Sequence, residues 1–137
     1  MHDQAFTTLE YDQLRALIRG AAQTPMGRAL LDALAPIDDL EELRKALSEV
    51  AECVQFGKRG VAWSCSELSD PSESIARLRV AGATLEPKAI LELARLCEQA
   101  MSTRTSILAE RGACPVLWEI VAGLPRELNS LTARISN

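Results

Sequence analysis

The sequence predicts an all-α protein, an irregular bundle of six or seven helices. Apolar residues recur at intervals of three and four along most of the chain, which is the spacing of one helix face. Each periodic stretch is preceded by a capping residue or a proline, and several are followed by glycine. Only residues 61–63 could form a strand, and no second segment would pair with them. A single helical module over residues 1–137 is therefore expected.

Length and composition narrow the class of protein. The 137 residues are 47% hydrophobic and 25% charged, which is the balance of an ordinary folded domain and excludes general disorder. No apolar run is long enough to span a bilayer, and no secretory signal precedes the first helix, so we expect a cytoplasmic protein without a membrane partner. The net charge of −4 argues against an autonomous nucleic-acid binder, which normally carries a basic field.

Capping signals predict the first two helices. Thr7 and Glu10 have the spacing of a capping box. The residues after them form one apolar stripe with helical spacing: Tyr11, Leu14, Ile18 and Ala21. Thr24-Pro25 is an N-cap followed by a first-turn proline, and it predicts a short helix that ends before Pro36.

The third helix is predicted to begin after Asp38-Asp39 and to end near Gly57 and Gly60. Its apolar residues repeat at alternating intervals of three and four, as in a coiled-coil seam two heptads long: Leu40, Leu43, Leu47, Val50 and Val54. Two heptads are short for a free coiled coil, so a helix packed in a bundle is the favoured interpretation. Glu41 and Lys45 have i,i+4 spacing, which predicts an ion pair on a solvated face.

Residues 57–70 form the longest irregular stretch. We expect an ordered loop with Trp63 packed inward; the alternative is that Trp63 stacks on a base. Lys58 and Arg59, one of the densest basic pairs, are the candidate nucleic-acid contacts.

The remaining patterns predict four more helices. Asp70-Pro71 opens one in which Ile75 and Leu78 are expected to face inward. Glu86-Pro87 opens the longest, which runs to about Arg111. Pro115 begins a short helix closed by Gly123, and Pro125 begins a last one that is still running at Asn137, so we expect the natural polypeptide to continue.

No catalytic chemistry is visible in the residues. The four cysteines lack the close spacing of zinc ligands, and the single histidine is His2. The chain contains no phosphate-binding loop of the GxxxxGK[ST] type, no GxSxG and no HExxH. We therefore predict no catalytic, cofactor-binding or metal-binding residues, and no enzyme activity, in these 137 residues.

The order of the motifs resembles the N-terminal region of bacterial MutS-like ATPases of the second subfamily. The resemblance begins with LEYD at residues 9–12 and TPMGR at residues 24–28. It continues with PIDDLEEL at residues 36–43 and with Asp70-Pro71. It ends with GATLEPKAI at residues 82–90 and LPREL at residues 124–128. Two departures, Glu86 at a position where relatives often have Ser or Thr and few glycines in residues 61–66, indicate a divergent member.

The resemblance implies a fragment of the core and lever region of a longer DNA-binding ATPase. In such a parent, helices like these couple the ATPase to DNA-facing domains in mismatch-repair or recombination-control proteins. ATP and magnesium would bind elsewhere in the parent, which often carries a C-terminal Smr nuclease domain. The implied partners are the rest of the polypeptide, DNA through the full-length protein, and a second copy in a homodimer. The family is associated with suppression of recombination and, in some bacteria, with rescue of collided ribosomes.

Two other hypotheses remain open from the sequence. In the first hypothesis, the chain is a stand-alone helical interaction or dimerisation module that uses the seam from Leu40 to Val54. In the second hypothesis, it contacts DNA directly through Lys58 and Arg59. A molecular mass in solution that depends on dilution would support the first hypothesis. A steep salt dependence of DNA binding would support the second.

Overall fold

The computed structural model describes residues 10–60, 65 and 68–135. These residues form seven helices and no strand, which confirms the predicted all-α class. The helices are α1 (Tyr11–Ala21), α2 (Pro25–Asp32), α3 (Leu40–Lys58), α4 (Ser72–Leu78), α5 (Pro87–Ala109), α6 (Pro115–Ala122) and α7 (Leu128–Ile135).

The chain divides into two compact units. One contains α1 and α2, and the other contains α3 to α7. The expected single module over residues 1–137 stays a prediction.

The start of α2 follows the predicted capping chemistry. The Thr24 Oγ1 accepts a hydrogen bond from the Gly27 N–H at 3.0 Å, and Pro25 occupies the first helical position. At the start of α1, Glu10 has a left-handed backbone (φ 53°) and makes no side-chain cap. The capping box predicted there also needs Thr7, which lies outside the described residues.

Polar contacts join α1 to the end of α2. The Tyr11 hydroxyl donates to the Leu34 carbonyl at 3.0 Å, and the Arg19 Nε donates to the Asp32 carboxylate at 2.7 Å. The Arg15 guanidinium donates to the Asp32 carbonyl at 3.3 Å. No residue of either helix is buried. Polar side chains therefore join the two helices, and the described residues of this unit include no fully buried apolar side chain.

The bounds of α3 agree with the sequence prediction. The Asp39 carboxylate caps the helix by accepting from the Glu42 N–H at 2.8 Å, and Gly60 follows the helix with a positive φ of 74°. The predicted Glu41–Lys45 pair is replaced by an i,i+3 pair, in which Glu41 binds Arg44 at 2.6 Å.

The apolar seam of α3 is not the face that packs in the structure. Leu40, Leu47, Val50 and Val54 are 57%, 60%, 61% and 50% exposed, whereas Phe56 is fully buried. The helix packs on α6 through Phe56 and its neighbours. The helix was predicted correctly, but of its predicted packing stripe only Leu43 is half-buried among the described residues.

Three further predictions need correction at the level of detail. Ile75 and Leu78 were expected to face inward on α4 but are 41% and 57% exposed, and this helix of about two turns has no buried residue. The helix begins at Ser72 with Pro71 at the N-cap position, so Asp70 is not the cap. The last helix begins at Leu128, three residues after the proline that was expected to open it.

The longest helix, α5, spans 23 residues or about 34 Å and packs against both α6 and α7. Thr105 bonds back to the Met101 carbonyl at 2.9 Å, and the helix continues through this Ser/Thr-rich part. The core of the second unit lies between α3, α5 and α6 and consists of Phe56, Ile107, Cys114 and Leu117.

No helix among the described residues is both long and apolar enough to cross a membrane. The inward packing predicted for Trp63 concerns a residue outside the described part of the chain.

Candidate functional site

The predicted nucleic-acid contacts lie at the C-terminal end of α3. Arg59 forms an ion pair with Glu110, which follows the last turn of α5, and the two side chains are 46% and 34% exposed. Lys58 is exposed and has no ion pair among the described residues. Glu110 offsets the charge of Arg59, whereas no described residue offsets the charge of Lys58. Contact with nucleic acid at this pair stays a prediction.

About two turns earlier on α3, Glu52 caps the N-terminus of another helix. Its two carboxylate oxygens accept from the N–H groups of Val116 and Leu117 at 3.1 and 2.8 Å. These amides belong to the first turn of α6, where no intrahelical acceptor exists, and Pro115 before them has no N–H. A carboxylate is also favoured there by the positive end of the helix dipole.

Two cysteines lie beside this junction. Cys114 is buried immediately before α6, and Cys53 is half-buried against the same core cluster. Burial raises the pKa of both thiols, and neighbouring negative charge from Glu52 adds to the rise. For Cys114 the positive charge of Arg59 opposes the rise without reversing it. A nucleophilic cysteine needs a lowered pKa, so neither thiol is suited to covalent catalysis.

An arginine and a tryptophan stack on the surface between α5 and α6. The Arg104 guanidinium lies 5.4 Å from the ring centroid of Trp118, within cation–π range. Its Nε is buried and has no hydrogen-bond partner in the part of the chain that the structure describes. The Trp118 ring compensates part of the positive charge of Arg104, and this contact joins α5 to α6.

An apolar pocket of about 210 Å³ opens between α4, α5 and α7. Its lining has no polar surface and comes from Leu78, Leu85, Ile90, Leu93, Ala94, Cys97, Leu131, Thr132 and Ile135. Binding sites for small molecules are larger and carry a few polar groups that orient the ligand. This pocket is smaller and lacks such groups, so we interpret it as a gap in helix packing.

Both units carry many apolar side chains that are exposed to solvent. In the first unit, Leu17 and Leu30 are 75% and 74% exposed, and Leu14 is 54% exposed. In the second unit, the largest group is the seam of α3. Among the described residues, sixteen large apolar side chains are exposed and six apolar residues are buried.

Acidic side chains and cysteines are the residue types that could bind a metal ion in the described part of the chain. No set of three or more His, Cys, Asp or Glu side chains is placed to hold a metal ion there. The carboxylates that are well positioned, Glu52 and Glu110, are used to join helices.

Sequence reasoning missed the cap by Glu52 and the stack of Arg104 on Trp118. The partners of Glu52 are 64 and 65 residues away, and no local pattern marks such a contact. The only available signal was the proline at the start of α6, which leaves that helix without a side-chain cap of its own.

Comparison with curated proteins finds similarity to bacterial proteins named endonuclease MutS2. The chain is 31% identical over 105 residues to that of Thermus thermophilus, a match that covers 77% of this chain and 13% of the relative. It is 26% identical over 135 residues to that of Leuconostoc citreum, covering 96% of this chain and 16% of the relative. It is 27% identical over 119 residues to that of Symbiobacterium thermophilum, a match that covers 85% of this chain and 14% of the relative.

These matches support a relation to the MutS2 proteins. The chain spans roughly a tenth to a sixth of the length of these relatives. No family model matches the chain, and no solved structure matches it.

Proposed function

We propose that this chain is a non-catalytic helical module at the N-terminal end of a MutS2-type DNA-binding ATPase. Its role is to couple the ATPase to the DNA-facing domains of the parent protein. In this proposal ATP and magnesium bind elsewhere in the parent, DNA is engaged by the full-length protein, and the parent works in the cytoplasm.

The observation that carries the proposal is the exposure of apolar side chains on both units. In the α1–α2 unit, Tyr11 and Arg15 donate hydrogen bonds between the helices, whereas Leu14, Leu17 and Leu30 are left exposed. Exposed apolar side chains of this number favour a segment that docks on further protein surface. The similarity to proteins six or more times longer supports the same conclusion.

A mechanical role fits the way the helices are joined. The second unit links the end of α3 to α6 through Glu52 and to the end of α5 through Arg59. Such fixed junctions let a set of helices move as one body, which is what transmission of a domain motion requires.

The first test is to read the source gene beyond the codon for Asn137. The proposal expects an open frame that encodes a GxxxxGK[ST] loop after a strand pattern. A stop codon directly after Asn137 would overturn it for this protein.

The second test measures coupling in the parent protein with the double variant Leu17→Ser/Leu30→Ser. Both side chains are about three-quarters exposed, so the substitutions remove a docking surface without opening a cavity. We expect basal ATP hydrolysis and DNA binding to persist and the stimulation of hydrolysis by DNA to fall several-fold. Gln13→Ser on the exposed surface of α1 is the matched control.

Unchanged stimulation in the double variant would contradict the coupling role. The alternative function is a stand-alone helical interaction or dimerisation module, and a stop codon after Asn137 would make it the leading candidate.

A further inference from the structure

We propose that the apolar pocket between α4, α5 and α7 is a binding site for one small, uncharged, apolar molecule about the size of a single aromatic ring. This inference goes beyond the coupling role and does not depend on the relation to the MutS2 proteins. The described walls of the pocket all belong to the second unit.

The pocket lies where short side chains meet between two helices that pack on each other, α5 and α7. Ile90, Leu93, Ala94 and Cys97 are spaced by three and four residues, so they share one face of α5. Thr132 contributes to the wall from α7. Because the side chains of Ala94 and Thr132 are short, they leave the space between the two helices unfilled.

The two lining residues with heteroatoms in their side chains, Thr132 and Cys97, present no polar surface to the pocket. The Thr132 hydroxyl donates to the Asn129 carbonyl at 3.0 Å within α7. Burial raises the pKa of the Cys97 thiol, and the charge of Glu98 adds to the rise, so the thiol is uncharged at neutral pH. A polar or charged ligand would therefore lose its hydrogen bonds to water and gain none from these walls.

The same walls favour an apolar occupant over water. A buried water normally makes two to four hydrogen bonds, and an apolar cavity of about 150 Å³ stays dry and binds benzene. The volume of this pocket is about 210 Å³, which matches one aromatic ring with room for one or two further carbon atoms. The small size and the lack of polar groups, which set this pocket apart from a typical metabolite site, therefore specify an apolar ligand.

The exposure of the lining residues indicates a route into the pocket. Ala94 and Thr132, at its base, are 4% and 6% exposed, whereas Leu78 and Leu131 are 57% and 48% exposed. The two leucines therefore form the rim, where the pocket opens to solvent. Exposed side chains change rotamer within picoseconds to nanoseconds, so a small molecule can enter without unfolding of the second unit.

Methyl NMR of the 137-residue chain, with benzene as the probe, tests the proposal. The methyl groups of Ile90, Leu93 and Ile135 should show saturable shifts, whereas Val121, which packs on the core cluster, should not. We expect a Kd on the order of 1 mM, because the probe has few atoms and makes no hydrogen bonds. Hydroquinone has a hydroxyl at each end, so one must enter the apolar walls, and it should bind at least about tenfold more weakly.

Two substitutions of the same kind on α5 separate the pocket from the rest of the helix. Ala94→Phe places a phenyl ring in the pocket as part of the chain and should weaken benzene binding at least about tenfold. Ala109→Phe makes the same change at the exposed end of α5 and should bind benzene as the wild type does. Saturating benzene should raise the Tm of the wild type and of Ala109→Phe, but not that of Ala94→Phe.

Absence of saturable shifts in the wild type, or shifts spread over methyl groups outside the pocket, would overturn the proposal. Equal affinity for benzene and hydroquinone, or unchanged binding in a folded Ala94→Phe variant, would overturn it as well. The methyl shifts of the wild type need no variant, so they decide the matter even if Ala94→Phe does not fold. None of these outcomes bears on the open reading frame or on coupling in the parent, so failure here is distinct from failure of the proposed function.

Discussion

Glu52 is the residue that ties α3 to α6. The helix that it caps begins Cys114-Pro115, and neither residue supplies a side-chain acceptor for the free amides of the first turn. The Glu52 carboxylate performs this role from another helix, with one oxygen on each of two successive N–H groups. A charged acceptor on two amides is among the stronger hydrogen-bonding arrangements in proteins.

We expect Glu52→Ala to lower the free energy of unfolding by about 1–3 kcal/mol, because two half-buried amides lose their acceptor. Glu41→Ala, which breaks only the exposed pair with Arg44, should cost less than about 0.5 kcal/mol. Urea unfolding followed by Trp118 fluorescence in a Trp63→Phe background measures both. Equal losses in the two variants would show that the cap by Glu52 contributes nothing special.

The buried thiols make stability depend on pH in the alkaline range. The pKa of Cys53 and of Cys114 is raised from the ordinary value of 9.0, chiefly by burial. Below pH 9 both thiols stay protonated in the folded and in the unfolded chain, so their contribution to stability is complete. As the pH rises towards the folded-state pKa, the thiols of the unfolded chain lose their protons first, and this contribution is lost. We expect the free energy of unfolding to fall above about pH 9.

The double variant Cys53→Ala/Cys114→Ala isolates this effect. It will be less stable at pH 7 because of the lost volume, but its stability should fall less steeply between about pH 9 and 10.5 than that of the wild type. Parallel curves for the two proteins would show that these thiols do not titrate differently on folding.

At the scale of the helices, capping chemistry predicted boundaries well, but periodicity did not predict which face packs. The starts of α2, α3, α5 and α6 follow Thr24, Asp39, Glu86 and Cys114, within a residue of the signals in the sequence. These signals are local and act within one turn. The stripe on α3 identifies an amphipathic helix, but it contains no information about which protein surface covers the stripe.

The α2 cap gives a prediction for one element. Thr24→Ala should destabilise the α1–α2 unit by about 1 kcal/mol, since the Gly27 amide loses its acceptor at 3.0 Å. Thr24→Ser keeps the hydroxyl and is the control. Amide hydrogen exchange of α2 measures the change, with faster exchange expected for the alanine variant alone. Protection of α2 that is the same in both variants would contradict a stabilising cap.

The candidate site was predicted only in part, for a physical reason. Lys58 and Arg59 stand out as a basic pair in the sequence, but the partner of Arg59 is Glu110, 51 residues later. The stack of Arg104 on Trp118 likewise joins separate helices. Contacts between distant segments depend on how helices pack, whereas composition and local spacing describe only what each helix can offer.

At the scale of the whole molecule, the two units should differ in stability. No residue of α1 or α2 is buried, whereas the second unit has a core around Phe56 and Ile107. Amide exchange reports the free energy of local opening, which is low where few apolar contacts are buried. We expect the amides of α1 and α2 to exchange at least about tenfold faster than those of α5 and α6. Equal protection in the two units would mean that they open together.

Lys58 is the predicted nucleic-acid contact that one variant can test. If Lys58 contacts a phosphate, Lys58→Ala in the parent should lower the slope of log binding constant against log salt by about one, because one fewer counterion is released. We expect the slope to stay unchanged, because the neighbouring Arg59 is already paired with Glu110 and a lone cation makes a weak phosphate site. A slope lowered by about one would contradict this expectation and place nucleic acid at the end of α3.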